Sequence, residues 1–316
     1  MRLAAIGLVL ALCGAAQAET AQFDAVAWEA GGAFDLQPGM TGLSVPGSGW
    51  MADDVPLAWG QGYTGQGTTV VTVDDFTSGI GLAGDFGFGP QRLTHGQWVA
   101  TQVAMIAPDG RLSRHDYMSG RAVGLGDGFT AINLSYEMKA PSGYDASDVD
   151  WDAQERSIIS YAHSGVALVV KAAGNDAVEI GQSNSEGLTD YLGVSLIGGR
   201  SVIFAGALQR NGSPIRPARL ASYSNMPGRN PVAQSQFLVV GVDSHQTGLF
   251  GTSFAAPVIA SYGAVVASKY PDASPSLVAD HLLATARRDW IANYDVTRHG
   301  MGEACLSCAL APLRIE

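Results

Sequence analysis

Four short apolar stretches rich in β-branched residues recur along the chain and predict buried strands. They cover residues 68–75, 129–136, 165–175 and 235–243, and turn or polar residues bound them. Because apolar side chains follow one another without polar alternation, we expect both faces of each strand to be covered.

Segments of helical pattern lie between these strands and predict helices over residues 95–107, 150–165, 252–269 and 274–287. Strands that alternate with helices predict an α/β fold: a single domain with a doubly wound, mostly parallel sheet and helices on both faces. An Asn-Gly pair within residues 207–215 predicts an added hairpin.

The first eighteen residues are typical of a secretory signal peptide. One basic residue precedes an apolar run that ends in Ala16-Gln17-Ala18, a small-x-small cleavage site. Cys13 raises a lipoprotein alternative, but Leu12 before it is too large for the usual lipidation site, and the cleavage site favours the plain signal. We therefore expect an exported protein, periplasmic or extracellular, with a lead-in segment over residues 19–50 and the α/β domain over residues 51–316.

Hydropathy and charge narrow the range of partners. Outside the signal, no stretch reaches the ~18 apolar residues that a membrane span needs. Removing residues 1–18 changes the formal charge from −11 to −12, because they contain one arginine and no acidic residue. That negative charge disfavours nucleic acid and anionic lipid as partners.

Only Cys305 and Cys308 remain after the signal is removed, and both a disulfide and free thiols are open. An oxidising compartment favours the disulfide. A zinc site would need two more ligands, and the chain has no second Cys-x-x-Cys pair. No contiguous Asp-rich loop of the EF-hand type is present either. We expect no cofactor and no metal at the site.

Polar residues fall where the predicted strands end and the predicted helices begin. Asp74 ends the first strand, His95 opens the next helix, Asn175 follows a later strand and Ser253 opens another helix. In a parallel sheet the carboxyl ends of the strands share one edge, where ligand sites form. We therefore expect these four side chains to lie close together.

This combination suits acyl transfer. A serine hydroxyl becomes a nucleophile when an imidazole takes its proton, and a carboxylate orients that imidazole. The developing oxyanion needs preorganised donors, which an asparagine amide and a backbone N–H at a helix start can supply. An α/β-hydrolase would instead show Gly-x-Ser-x-Gly with both partners after the serine, whereas here they precede it.

Taken singly, each of these residues has an ordinary structural explanation as a helix cap, a turn residue or a solvated carboxylate. Their joint order is what points to catalysis. Other histidines and acids lack such surroundings and receive no catalytic assignment: His115, His163, His245, His281, His299, Asp109 and Asp176.

Four ordered motifs resemble those of the subtilisin-like serine proteases: "GYTGQGTTVVTVDD", "HGQWVA", "AAGND" and "GTSFAAPVIA". The resemblance spans roughly residues 55–312. It implies that Asp74, His95 and Ser253 form the catalytic triad and that Asn175 lines the oxyanion hole. It also implies a polypeptide substrate, and it leaves open a structural calcium held by scattered loops.

The chain departs from the family pattern in three places. Asp75 and Phe76 follow the predicted catalytic aspartate where Ser or Thr and then Gly are usual. We assign the role to Asp74 rather than Asp75, because its spacing from Gly67 fixes the register. Gln97 and Trp98 replace common residues after the histidine, and residues 19–50 are too short for the inhibitory propeptide that many members carry.

The stretch "INLSYE" resembles the strand edge along which family members pair with extended substrate. Leu134, Ser135 and Tyr136 would then border the substrate groove. Glu137 would either favour basic substrate side chains or be an exposed loop glutamate.

The sequence thus favours an exported serine endopeptidase. The alternatives are a catalytically silent subtilisin-like binding or scaffold domain and an enzyme that cleaves only esters.

Overall fold

A computed structural model describes residues 48–315. The predicted signal peptide and all but the last three residues of the predicted lead-in lie outside this range. The limits of these two segments and of the peptidase domain therefore stay predictions. Within the described range, no helix is long and apolar enough to cross a membrane.

The described residues contain both strands and helices in alternation. The strands are β1 (Thr68–Asp74), β2 (Gly81–Gly84), β3 (Gln91–Thr94), β4 (Arg111–Asp116), β5 (Phe129–Leu134), β6 (Lys139–Pro141), β7 (Leu168–Ala172), β8 (Leu188–Asp190), β9 (Val202–Leu208), β10 (Phe237–Gly241) and β11 (Gly302–Glu303). The helices are α1 (Asp54–Gly60), α2 (His95–Ile106), α3 (Ala153–Ser164), α4 (Tyr191–Leu196), α5 (Pro231–Ser235), α6 (Ser244–Thr247), α7 (Ala256–Lys269), α8 (Pro275–Ala284), α9 (Val296–His299) and α10 (Leu306–Leu310).

Seven strands form one parallel sheet in the order β11-β10-β9-β7-β5-β1-β4. Its strands are apolar on both faces because helices cover both. In β1, Val70 belongs to the core under α2 and α7, whereas Val71 and Val73 belong to the core under α3 and α4. The predicted α/β fold with a parallel sheet is confirmed.

Helix α7 lies at the centre of one face and is buried over nearly its whole length. Gly263 makes its close approach to the sheet possible, because a Cβ there would lie 2.3 Å from Cδ2 of Leu168. The residues that precede α7 are therefore held in a fixed position over the sheet.

The sequence pattern predicts four strands of the main sheet, whereas β4, β9 and β11 of that sheet and the four short strands of the two small sheets have no predicted counterpart. Arg111–Asp116 is an edge strand with partly exposed side chains, so its pattern is weak. Val202–Leu208 is a buried central strand.

The chain beyond β9 returns antiparallel, as the predicted hairpin requires, because Leu208 and Leu220 form a bridge. The Asn-Gly pair, however, lies within a long loop and is not a two-residue turn between them. Gly212 of that pair instead packs against the backbone of Trp290, a tertiary contact that turn chemistry does not reveal.

Ion pairs tie the C-terminal segments to α1, and a disulfide closes a local turn within those segments. Arg287 contacts Asp54 at 3.3 Å and Glu303 at 3.1 Å, with all three side chains nearly buried. Cys305 and Cys308 form a disulfide at the start of α10. The ion pairs thus hold the last strand and the segment after α8 against the first helix of the described chain.

Helix α3 begins with a buried acidic network. Asp152 caps the helix, and Glu155 accepts hydrogen bonds from the Tyr136 hydroxyl at 3.0 Å and from Gln154 at 2.9 Å. Burial is the main cause that raises the pKa of Glu155 to about 7, and the hydrogen bond with the Asp152 carboxylate is the second. The folded state therefore binds this proton more tightly than the unfolded state does.

We predict that the free energy of unfolding falls as pH rises from about 4.5 through 7, because stability from a raised carboxyl pKa is lost over that window. The contribution of Glu155 is on the order of 2 kcal/mol. Glu155→Gln keeps an acceptor for Tyr136 and should make the fall shallower. Urea denaturation at pH 5 and pH 8 measures the change in the free energy of unfolding. Asp150→Asn, at an exposed position, is the control. Equal pH slopes in wild type and Glu155→Gln would contradict the assignment.

Candidate active site

Two of the predicted site residues meet where β1 ends and α2 begins. Asp74 is the last residue of β1, and His95 is the first of α2. A capping box fixes the helix start, because Thr94 Oγ1 accepts from Gln97 N while Gln97 Oε1 accepts from Thr94 N. Gln97, one of the departures from the family pattern, thus has a structural role here.

The imidazole of His95 contacts Asp74 and not Asp75. Its Nδ1 lies 2.6 Å from Asp74 Oδ1. The Asp75 carboxylate turns the other way and accepts from the backbone N–H groups of Thr77 and Ser78. Asp75 nevertheless matters through its backbone, since its carbonyl accepts the Gly96 N–H at 2.8 Å.

Charge around His95 favours its protonated form. Burial lowers the pKa of the imidazole, but the charge and hydrogen bond of Asp74, together with the charge of Asp75, outweigh burial and raise the pKa above 6.5. A raised pKa makes the ring a stronger base toward a neighbouring hydroxyl.

Ser253 lies in a short 3₁₀ turn, Thr252–Phe254, directly before α7. Its hydroxyl donates to the carbonyl oxygen of Ser135 at 3.1 Å, and the Ser135 hydroxyl donates to the carbonyl oxygen of Ser253 at 2.9 Å. These bonds hold the serine turn against the end of β5.

The serine turn is also held against α2. Buried Gln102 donates from Nε2 to the carbonyl oxygen of Phe254 at 3.1 Å. The ring of Phe254 lies 5.5 Å from the ring of His95, centroid to centroid. Helix α2 thus carries both the histidine and a contact that positions the turn bearing Ser253.

Thr252 connects the serine turn to the loop after β7. Its buried hydroxyl accepts the Gly174 N–H at 3.0 Å and lies 3.2 Å from Asn175 Oδ1, which also accepts the Thr252 N–H at 2.8 Å. Because Oδ1 is occupied by these donors, the amide nitrogen Nδ2 of Asn175 faces away from Thr252.

Two donors at this point have no acceptor in the described part of the chain: Nδ2 of Asn175 and the backbone N–H of Ser253. Gly251 leaves space beside them, because a Cβ on it would lie 3.4 Å from Nδ2 of Asn175. Preorganised donors of this kind suit an oxyanion.

The predicted groove residues are placed with their side chains inward. Leu134 and Tyr136 are buried, and the Tyr136 hydroxyl is used by Glu155. Ser135 faces Ser253, as described above. Any contribution of this segment to a groove therefore comes from its backbone.

Sequence reasoning missed two residues that shape the site. Thr252 has a fully buried hydroxyl that holds the serine turn, and its only sequence signal is its place directly before Ser253. Asn225 accepts the N–H groups of Asp176 and Val178 and donates to Ala173, so it holds the loop that carries Asn175. Only the fold brings it there.

The residues without a catalytic assignment lie in other contacts. Asp109 accepts from the Thr64 hydroxyl, Asp176 contacts Lys139, and His115 lies within hydrogen-bond distance of Gln154. Among residues 48–315, no three histidine, cysteine or acidic side chains are grouped so that they could hold a metal ion.

Replacing Asp74 should lower the pKa of His95, because burial remains while the largest opposing charge is lost. We expect Asp74→Asn to shift the histidine titration to lower pH in NMR spectra. Asp75→Asn is the matched control and should cause a smaller shift, because Asp75 acts through charge without a hydrogen bond to the ring. A larger shift of the His95 titration in Asp75→Asn than in Asp74→Asn would contradict the assignment of Asp74 as the partner of His95.

The fold of this chain resembles that of several solved proteases. The prenylagaramide maturation protease PagA matches with a TM-score of 0.53 and 18% identity over 82% of this chain and 98% of that one. MycP3 from the type VII (ESX-3) secretion system matches with a TM-score of 0.52 and 19% identity over 85% and 90%. MycP1 from Mycobacterium smegmatis matches with a TM-score of 0.52 and 18% identity over 85% and 86%.

Sequence comparison gives the family. No curated protein sequence matches the chain. The model of the subtilase family matches residues 79–303, which include His95, Asn175 and Ser253. The chain therefore belongs to the subtilase family of serine-type endopeptidases.

Proposed function

We propose that the protein is an exported serine endopeptidase in which Asp74, His95 and Ser253 form the catalytic triad. The observation that carries the proposal is the 2.6 Å contact between Asp74 and His95, beside the turn that bears Ser253. Asn175 and the Ser253 N–H are the proposed oxyanion hole. The substrate is a polypeptide, and the proposed chemistry needs no cofactor because each step uses groups of this chain and water.

In the proposed reaction, Nε2 of His95 takes the proton of the Ser253 hydroxyl as Oγ attacks the peptide carbonyl carbon. Asp74 keeps Nδ1 protonated and stabilises the imidazolium that forms. The oxyanion receives hydrogen bonds from Nδ2 of Asn175 and from the Ser253 N–H. The tetrahedral intermediate then collapses: the C–N bond breaks as the imidazolium protonates the leaving amine, and the acyl group remains on Oγ. His95 next takes a proton from water, which attacks the acyl carbonyl, and the bond to Oγ breaks as His95 returns the proton to Ser253.

The serine hydroxyl must turn before it can react. In the structure it donates to the Ser135 carbonyl, so attack requires rotation about the Cα–Cβ bond toward His95. Rotation also frees the Ser135 carbonyl to accept a backbone N–H of an extended substrate. The proposed groove edge, residues 134–136, thus binds substrate through its backbone, as in strand addition.

Export is proposed from the leader and supported by the disulfide. Residues 1–18 have the charge, apolar run and cleavage site of a secretory signal. The bond between Cys305 and Cys308 suits an oxidising compartment. Periplasmic and extracellular destinations both agree with these observations.

A fluorophosphonate probe should label the purified mature protein on Ser253, because such probes react with activated serine hydroxyls. Ser253→Ala and His95→Ala should lose labelling. Ser268→Ala, on the far end of α7, is the control and should label as wild type does. Absence of labelling in folded wild-type protein would contradict the triad and favour the scaffold alternative. Labelling with cleavage of esters but not of peptides would favour the esterase alternative.

Asn175→Ala should lower kcat for a peptide substrate on the order of 10²–10³-fold, the scale known for loss of this donor from subtilisin. Its KM should change little, because the donor acts mainly on the oxyanion. Steady-state kinetics measure both. A variant that kept near-full turnover would place the oxyanion hole elsewhere.

A further inference from the structure

Charged side chains line a cavity whose walls include residues on both sides of Asn175 in the chain. Glu137 and Lys139 line it together with Ala173 and Asp176. The side chains of Glu137 and Lys139 are 10% and 5% exposed. Glu137 is therefore not an exposed loop glutamate.

Two connections link Glu137, which lines the cavity, to the serine turn. Glu137 follows Ser135, whose carbonyl accepts the Ser253 hydroxyl, by two residues. Its Oε1 lies 2.6 Å from where a Cβ on Gly174 would be, and Gly174 is hydrogen-bonded to Thr252. If the attacked carbonyl points its oxygen at Asn175, the substrate residue that supplies this carbonyl lies between segments 135–137 and 173–175. The side chain of that residue then faces this cavity.

Little space remains for such a side chain. The cavity encloses about 10 Å³, which is room for roughly one water molecule. Glu137 is held in place because Oε2 lies 3.1 Å from Lys139, which itself lies 2.6 Å from Asp176. Moving Glu137 aside would break a nearly buried ion pair, which is strongly unfavourable.

The other oxygen of Glu137 needs a small hydrogen-bond donor. Oε1 is buried and has no hydrogen-bond partner within residues 48–315. Burial, then the charge of Asp190, raises the pKa of this carboxyl against the opposing effect of Lys171 and Lys139. A large apolar group placed here would seal Oε1 from any donor, at a further cost.

We propose that Glu137 determines specificity by limiting the residue on the acyl side of the scissile bond to a small one: glycine, alanine or serine. A water molecule or the serine hydroxyl would then supply the donor that Oε1 lacks. The inference rests on the proposed function, because it needs the peptide carbonyl at Ser253.

The test compares fluorogenic peptides that differ only at this residue: alanine, serine, phenylalanine and lysine. We expect kcat/KM for alanine to exceed that for phenylalanine or lysine at least about tenfold, because the larger side chains overpack the cavity. Glu137→Ala should lower the alanine-to-phenylalanine ratio at least about tenfold. Glu137→Gln keeps the volume, and its amide oxygen can still accept a hydrogen bond from Lys139, so it should leave the ratio within about threefold of wild type.

Glu186→Ala, at an exposed loop position, is the matched control and should not change the ratio. A wild-type preference for phenylalanine or for lysine would overturn the proposal, as would an unchanged ratio in Glu137→Ala. A ratio that collapses in Glu137→Gln would show that charge, not volume, selects the substrate, and would overturn it too.

A binding experiment separates this proposal from the proposed function. Fluorescent peptides with alanine or phenylalanine at the same position are titrated into the Ser253→Ala variant. This measurement reports binding alone and does not depend on catalysis. Tighter binding of the alanine peptide supports the small pocket even if the wild type fails to label with fluorophosphonate. Equal or tighter binding of the phenylalanine peptide overturns the small pocket even if the triad is active.

Discussion

The buried hydroxyl of Thr252 is the interaction on which the site depends. It accepts the Gly174 N–H and contacts Asn175 Oδ1, so it ties the start of the serine turn to the loop after β7. Without these contacts, nothing would distinguish the two orientations of the Asn175 amide, because Oδ1 and Nδ2 are nearly equivalent in shape. With them, the oxygen is occupied on one side and the nitrogen points to the other. One fully buried side chain thereby sets both the position of Ser253 and the direction of the donor beside it.

The sheet and two helices supply the rest of the geometry. Strands β1, β5 and β7 are neighbours and parallel, so Asp74, Ser135 and the Asn175 loop emerge at one edge. Helices α2 and α7 lie on the same face, and Gln102 joins α2 to the serine turn. His95 and Ser253 therefore come from elements that are held together by packing and by a buried hydrogen bond. Asp74, His95 and Ser253 thus lie at or beside the ends of elements that are buried over most of their length.

The pattern of apolar residues predicted the strands and helices that carry the site, because each is buried over most of its length. It failed where tertiary contacts decide. Arg111–Asp116 has few buried side chains because it is an edge strand, and Gly212 is placed by its packing on Trp290 and not by a local turn. Spacing was enough to favour Asp74 over Asp75, since the two point to opposite sides. It could not reveal that Gln97 closes a capping box or that Asn225 reaches the Asn175 loop from 50 residues away.

The surroundings of Glu137 show a further limit of sequence reasoning, because its partners come from separate segments. Lys139 is two residues away, but Asp176 follows β7 and Asp190 ends β8. The same loop carries Asn175, the proposed oxyanion donor, and Asp176, which contacts Lys139 at 2.6 Å. The ion pair that lines the cavity therefore also restrains the segment that holds Asn175. If Glu137 and Asn175 have the proposed roles, a change of substrate preference at this cavity would alter the rigidity of the donor as well, and specificity would be physically coupled to turnover.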